Sequence, residues 1–148
     1  MPELHFSTDI NCPAEDVFKL IADLAHYSRW LPPSGTYAET LDISESPVKA
    51  GSTYVDRNRL NTMYGTVPEC MPNSRIVFHQ ATKGPSLDIT AAYNLTPTGA
   101  GTRVERTTTI LTSGWLRLLQ PFIVRSTGRE NERLLQIMKA YLEKSARS

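Results

Sequence analysis

Of the residues able to do acid–base or hydrogen-bonding chemistry, Arg106 is the most constrained. It lies in a β-branched stretch, 102–112, and shares an alternating face with Val104, Thr108 and Ile110, which predicts an inward charge. A charge turned toward an apolar interior needs a partner, because an isolated ion in low dielectric is costly. Asp56 is the candidate. Its stretch, 52–61, reads two ways: Tyr54, Asp56, Asn58 and Leu60 form one face, and Val55, Arg57, Arg59 and Asn61 the other. With the first set inward, a carboxylate and a guanidinium share the inner face and can orient a carbonyl or hydroxyl of a bound molecule. The competing readings are a structural ion pair, or an Asp56 exposed at a curved edge. Tyr93 stands on a better-defined face, since Leu87, Ile89, Ala91, Tyr93 and Leu95 alternate with polar or small residues over 87–96. Its phenol is an inward hydrogen-bond donor, with Tyr27 and Tyr64 as further donors. In 75–82, Ile76, Phe78 and Gln80 point inward and His79 outward.

Other catalytic signatures are missing. There is no Gly-x-Ser-x-Gly, no His-Glu-x-x-His, no phosphate-binding glycine loop and no nucleotide fingerprint, so neither metal nor cofactor is expected. His5 and His79 fall on polar strand faces, a poor place for a general base, and His26 lies in a short helical stretch. Cys12 and Cys70 are too few and too far apart for a disulfide framework, and they fit a reducing compartment.

The elements that must position these groups follow from periodicity and punctuation. Residues 3–11 alternate as a half-buried strand, with Leu4, Phe6, Thr8 and Ile10 on one face. Pro13 opens a short helix after Asn11 or Cys12, with Glu15 and Asp16 in its first turn and Val17, Phe18, Leu20 and Ile21 as its apolar face. A second short helix or turn, 23–30, is stopped by Pro32, Pro33 and Gly35. Strands are then predicted over 37–44, 52–61, 65–71, 75–82, 87–96 and 102–112, with turns at Pro72-Asn73, Lys83-Gly84-Pro85 and 97–101. From 115 to 144 the spacing becomes helical. Leu116, Leu119, Phe122, Ile123, Leu134, Ile137, Met138 and Tyr141 fall on one side, and Arg117, Arg125, Arg129, Arg133 and Lys139 on the other. The stripe turns small at Ser126, Thr127 and Gly128, as it would over a hollow; a kink or a close backbone contact is the alternative. Pro121 predicts a bend after the first two turns. The expected architecture is α+β: a curved antiparallel sheet of seven strands wrapped around a long C-terminal helix, with two short helices between the first and second strands.

Bulk properties narrow the function. The 148 residues fit one domain without repeats or linkers. Sixteen basic against fifteen acidic residues give a net charge of +1, which argues against nucleic acid. Seven basic and three acidic residues lie from Trp115 onward, however, so the final helix is basic. Such a helix is ordinarily a solvated face, and peripheral contact with an anionic membrane is its other use. The first ten residues lack a basic n-region and an apolar h-region, and no run approaches the roughly 18 apolar residues of a membrane span, so a cytoplasmic location is expected.

Read as a whole, the chain resembles the START and Bet v 1-like helix-grip superfamily, specifically the polyketide cyclase/dehydrase (SRPBCC) branch. The residues that carry this are INCPAEDVFKLIADLAHYSRWLPP near the start, then Gly51, SRIVFHQ, and TPTGAGTRVERTT before the last strand. They are similar to that family's opening strand, Pro-Ala, short helix and Trp-x-Pro, and to its glycine hairpin into the final strand. The resemblance implies an apolar cavity between sheet and last helix, and binding or transport of a small hydrophobic ligand such as a lipid or polyketide-like molecule. Some members catalyse cyclisation or dehydration, which here would use Tyr93, Arg106 or Asp56 as acid, base or oxyanion stabiliser. A third reading is a partner-binding module using the basic helix or an outer sheet edge. Trp30 occupies the place of the family's cavity-covering tryptophan. Candidate ligand-binding residues are Trp30, Tyr54, Asp56, Phe78, Ile89, Tyr93, Arg106, Thr108, Phe122 and Thr127. Trp115, at the start of the helix, is a second aromatic placed where it can gate or simply pack.

Overall fold

A computed structural model describes residues 2–32, 39–57, 62–83 and 87–146. The predicted stop at Pro33 and Gly35, the strand start at Tyr37, residues Asn58, Arg59, Leu60 and Asn61, and the Gly84-Pro85 turn lie outside the described residues.

The alternating face of the first strand appears as β1 (Glu3–Ile10), with its odd-numbered residues exposed and Ile10 fully buried. The helix α1 (Ala14–Ala22) follows and buries Val17, Phe18, Ile21 and Ala22. Its N-cap is Pro13, in extended conformation and without a side-chain cap, rather than Asn11 or Cys12; Glu15 and Asp16 supply the favourable charge at that end. A 3₁₀ segment, Leu24–Arg29, buries Leu24 and Tyr27.

Six further strands follow: β2 (Glu39–Leu41), β3 (Thr53–Arg57), β4 (Thr62–Met71), β5 (Arg75–Thr82), β6 (Leu87–Pro97) and β7 (Thr102–Thr112). Together with β1 they form one antiparallel sheet in the order β1-β7-β6-β5-β4-β3-β2. Consecutive strands from β2 to β7 are neighbours, as a meander requires, and β1 closes on β7 with Phe6 opposite Arg106. The edge strand β2 is only three residues long, and β4 begins three residues earlier than the sequence pattern suggests. The β4–β5 register shifts between Thr66 and Glu69, where Pro68 has no N–H to donate to the ladder.

The long helix starts differently from its prediction. Gly114–Leu119 is 3₁₀, and the α-helix α2 runs over Gln120–Ala146. Pro121 therefore stands in the first turn of α2, where its missing N–H is not needed, and it does not bend the helix in mid-course. The buried side of α2 is Asn131, Leu134, Leu135, Met138 and Leu142, while Leu119, Phe122 and Tyr141 are exposed. The small run at 126–128 lies against β1 and not over the hollow: a Cβ at Gly128 would lie 3.8 Å from the Phe6 ring and 3.9 Å from Leu4, ordinary contact distances.

Candidate functional site

The hollow lies further along the helix than the small run, beneath Glu130 and Leu134. It has a volume of about 130 Å³ and is bounded by the inner faces of β3, β5, β6 and β7, by Thr40 of β2, and by Leu24, Tyr27 and Leu31. Strand parity places the side chains: Tyr54 and Asp56 from β3, Phe78 and Gln80 from β5, Ile89, Ala91 and Tyr93 from β6, and Arg106 from β7 all face it. The first of the two readings of the 52–57 stretch is therefore the observed one.

An aromatic row forms one wall. Tyr54, Phe78 and Tyr93 meet edge to face, with ring centroids 6.0 and 6.1 Å apart. Gly65 makes room for it. Paired with Tyr54 across β3 and β4, it lies under that ring, and a Cβ there would come within 2.2 Å of it. The Tyr54 hydroxyl donates to Gln80 Oε1 at 3.1 Å.

Arg106 is held from three directions. Its Nε donates to Asn131 Oδ1 at 2.8 Å, a second nitrogen donates to the Tyr93 hydroxyl, and the guanidinium carbon stands 4.8 Å from the Tyr93 ring centre. Asn131 is fully buried, and its amide nitrogen donates to Thr108 Oγ1 at 3.0 Å. One side chain of α2 thus ties the helix to β7 and fixes the guanidinium. A buried asparagine in a helical stripe carries no sequence signal of that role.

Asp56 is not the direct partner of Arg106. Its Oδ1 accepts a hydrogen bond from the Thr40 hydroxyl at 2.8 Å. Burial raises its carboxyl from the usual 3.8 to about 6, against the lowering effects of the Thr40 hydrogen bond and the Arg106 charge. Burial likewise pushes the Tyr27, Tyr54 and Tyr93 phenols up, so all three remain neutral donors at ordinary pH. The hollow thus holds a fixed cation, a carboxyl able to change charge near neutrality, neutral phenols, the polar Thr40 and Gln80 and the Arg133-paired Glu130, with Leu24, Leu31, Phe78, Ile89, Ala91 and Leu134 as its apolar walls. Among the described residues no histidine lines it, and no group of three His, Cys, Asp or Glu side chains could hold a metal ion.

Six of the ten candidate residues meet at the hollow: Tyr54, Asp56, Phe78, Ile89, Tyr93 and Arg106. The other four do not. Trp30 is buried behind Tyr27, with ring centroids 5.1 Å apart. Thr108 is sealed under Asn131, and Thr127 lies on the turn of α2 before the hollow. Phe122 is 72% exposed. Tyr64 and Trp115, the other aromatics of interest, are 50% and 70% exposed. Sequence reasoning missed Thr40, Glu130 and Leu134 and left Gln80 out of the set, although parity had already turned Gln80 inward.

A curved antiparallel sheet gripping a long terminal helix above a polar-based hollow defines a helix-grip protein. The sequence agrees: residues 1–143 match the family described as polyketide cyclase / dehydrase and lipid transport, and the chain belongs to that family. The di-domain ARO/CYC StfQ of the steffimycin biosynthetic pathway superposes with a TM-score of 0.80 at 15% identity, over 99% of this chain and 52% of its own. The di-domain ARO/CYC BexL of the BE-7585A pathway does so with a TM-score of 0.73 at 20% identity, over 96% and 50%. A Mesorhizobium loti protein gives 0.74 at 13% identity, over 97% and 98%. This chain spans about half of each di-domain protein, and at these identities the likeness is one of fold. No curated protein matches the sequence.

Proposed function

We propose that the protein binds a small, mainly apolar molecule with one polar end in the hollow between the sheet and α2. The observation that carries this is the convergence of Asp56, Gln80, Tyr93 and Arg106 from four strands, with Thr40 and Glu130 beside them, on one space whose remaining walls are aromatic and aliphatic. A folded core has no need of four such groups in one place, and each costs free energy to desolvate. A ligand carbonyl or hydroxyl meets donors already fixed in place, which reduces the entropy lost on binding. Size limits the guest. At about 130 Å³ the space is close to the engineered cavity of about 150 Å³ that takes up benzene, and below the ~300–1,000 Å³ of drug-sized pockets. A single ring or a short chain fits as the walls stand, and a full lipid requires the walls to move apart.

A second reading, catalysis of a cyclisation or dehydration in the same space, rests on Asp56. A carboxyl near 6 can take a proton from carbon next to a carbonyl, while Arg106 and Tyr93 stabilise the oxyanion that forms. The test is a thermal-shift and calorimetric screen of single-ring ketones and phenols, short-chain acids and long-chain lipids. At least one single-ring carbonyl or phenolic compound should bind, and Arg106→Met should weaken it by about 10- to 100-fold, the worth of a charged hydrogen bond. Ala91→Leu, which fills the space, should abolish binding. A screen without hits, or hits indifferent to both changes, overturns the proposal. With a β-hydroxy ketone, loss of water at a rate abolished by Asp56→Asn while binding persists would select the enzyme reading.

A further inference from the structure

The beginning of the last helical segment is apolar on two sides. Leu116, Ile123 and Val124 pack on the small cluster of Met63, Leu87 and Ile110. On the far side Trp115, Leu118 and Phe122 are 70, 82 and 72% exposed. Their spacing makes them one face: three residues per turn through the 3₁₀ stretch puts Leu118 over Trp115, and the first turn of α2 brings Phe122 beside Leu118. Three and seven residues further on, the same row continues with the exposed Arg125 and Arg129, and exposed Arg117 stands between Trp115 and Leu118 in sequence. From Ser113 to Arg129 the chain contains three arginines and no acidic residue. Large apolar groups on both sides of a segment mark one that something else covers.

We propose that this face docks on an anionic lipid surface, with Trp115, Leu118 and Phe122 in the headgroup–acyl boundary and Arg117, Arg125 and Arg129 on the phosphates. The inference is independent of what occupies the hollow. Three observations select this occupant. Tryptophan and phenylalanine beside leucine are the side chains that settle at that depth, and arginine binds phosphate through a planar fork. The absence of acidic residues over the whole stretch removes the repulsion a negatively charged surface would otherwise meet. A second copy of the chain would bring like arginines together across the two-fold axis, which disfavours it.

The experiment is co-sedimentation of the full chain with vesicles of phosphatidylcholine alone, and of phosphatidylcholine and phosphatidylglycerol in equal parts, at low and high salt. Binding is expected to the mixed vesicles only, to fall with salt, and to shift the fluorescence of Trp115 to the blue; Trp30, already buried, adds no shift. The double variant Leu118→Ser/Phe122→Ser, altering two exposed side chains, should keep its melting temperature and lose more than about tenfold in vesicle affinity. Arg125→Glu/Arg129→Glu should remove the preference for phosphatidylglycerol. Equal binding to both vesicles, or to neither, overturns the proposal. So does a concentration-dependent dimer in sedimentation velocity that Leu118→Ser/Phe122→Ser converts to monomer, which would identify the cover as a second copy.

Discussion

Asp56 shows how a single carboxyl reports on the space around it. In the unfolded chain it loses its proton near 3.8, and in the folded one near 6. Between those values the folded state holds the proton and the unfolded state does not, so stability falls as pH rises through this window and stays lower above it. At 1.36 kcal/mol per tenfold change in proton affinity, the burden at pH 7 is at most about 3 kcal/mol, less whatever solvent reaches the group. Asp56→Asn should therefore stabilise the protein by roughly 1–3 kcal/mol at pH 7 and leave it nearly unchanged below pH 4. Urea unfolding of both proteins at the two pH values checks this, and an equal difference at both would mean that hydrogen bonding, not charge, sets the cost. The residues legible from alternation are Ile89, Tyr93 and Arg106, and Phe78 on a strand where Val77 is buried as well. Asp56 stood on a strand polar on both faces, so its direction awaited the pairing of Tyr54 with Gly65. Thr40, on a three-residue edge strand, and Glu130, a charged residue on a helix, gave period arguments nothing to hold.

At the scale of elements, the helix was located correctly and its buried side only in part. Leu134 and Met138 lie in the core as their spacing predicts, but Phe122 points outward. The reason is phase. Within α2 itself Phe122 lies twelve residues before Leu134, about 120° around the helix at roughly 100° per residue, so it falls off the face that Leu134 and Met138 define. The small run at 126–128 leaves a hollow and a close contact both open, because each asks for small side chains. At Gly128 the neighbours are Phe6 and Leu4 of β1, and none of 126–128 lines the hollow. A methyl group there makes ordinary contacts with Phe6 and Leu4, so Gly128→Ala should gain the helix propensity, about 0.5–1 kcal/mol, and raise the melting temperature by about 2–4 °C. Gly65→Ala should do the opposite, since its methyl would collide with the Tyr54 ring that lies over it. Scanning calorimetry of both variants reads the two signs. A fall at Gly128 would mean that α2 sits on β1 more tightly than its distances indicate.

The whole molecule divides its helix between two apolar clusters. The larger joins α1, the 3₁₀ turn, the inner sheet face and the second half of α2 through Leu134, Leu135, Met138 and Leu142; the smaller is three buried residues beneath the start of the helical segment. Ile89 packs against the smaller cluster and also lines the hollow. Structures at 13–20% identity share the fold, as binary pattern and turn chemistry suffice to specify the architecture while the contents of the hollow do not follow from them. The unequal anchoring has a dynamic consequence. None of Gly114–Leu119 is buried and Phe122 is mostly in solvent, so opening this stretch uncovers only the three-residue cluster of Met63, Leu87 and Ile110 under Leu116, Ile123 and Val124. Opening Leu134 to Leu142 uncovers the main core. Amide hydrogen exchange should therefore find the amides of 131–142 exchanging only with global unfolding, and those of 114–124 exchanging faster through local opening. Mixed phosphatidylglycerol vesicles should slow the second group and leave the first unchanged. Uniform protection along 114–142 would show that the smaller cluster holds as firmly as the larger one, and that the helix moves, if at all, as one piece.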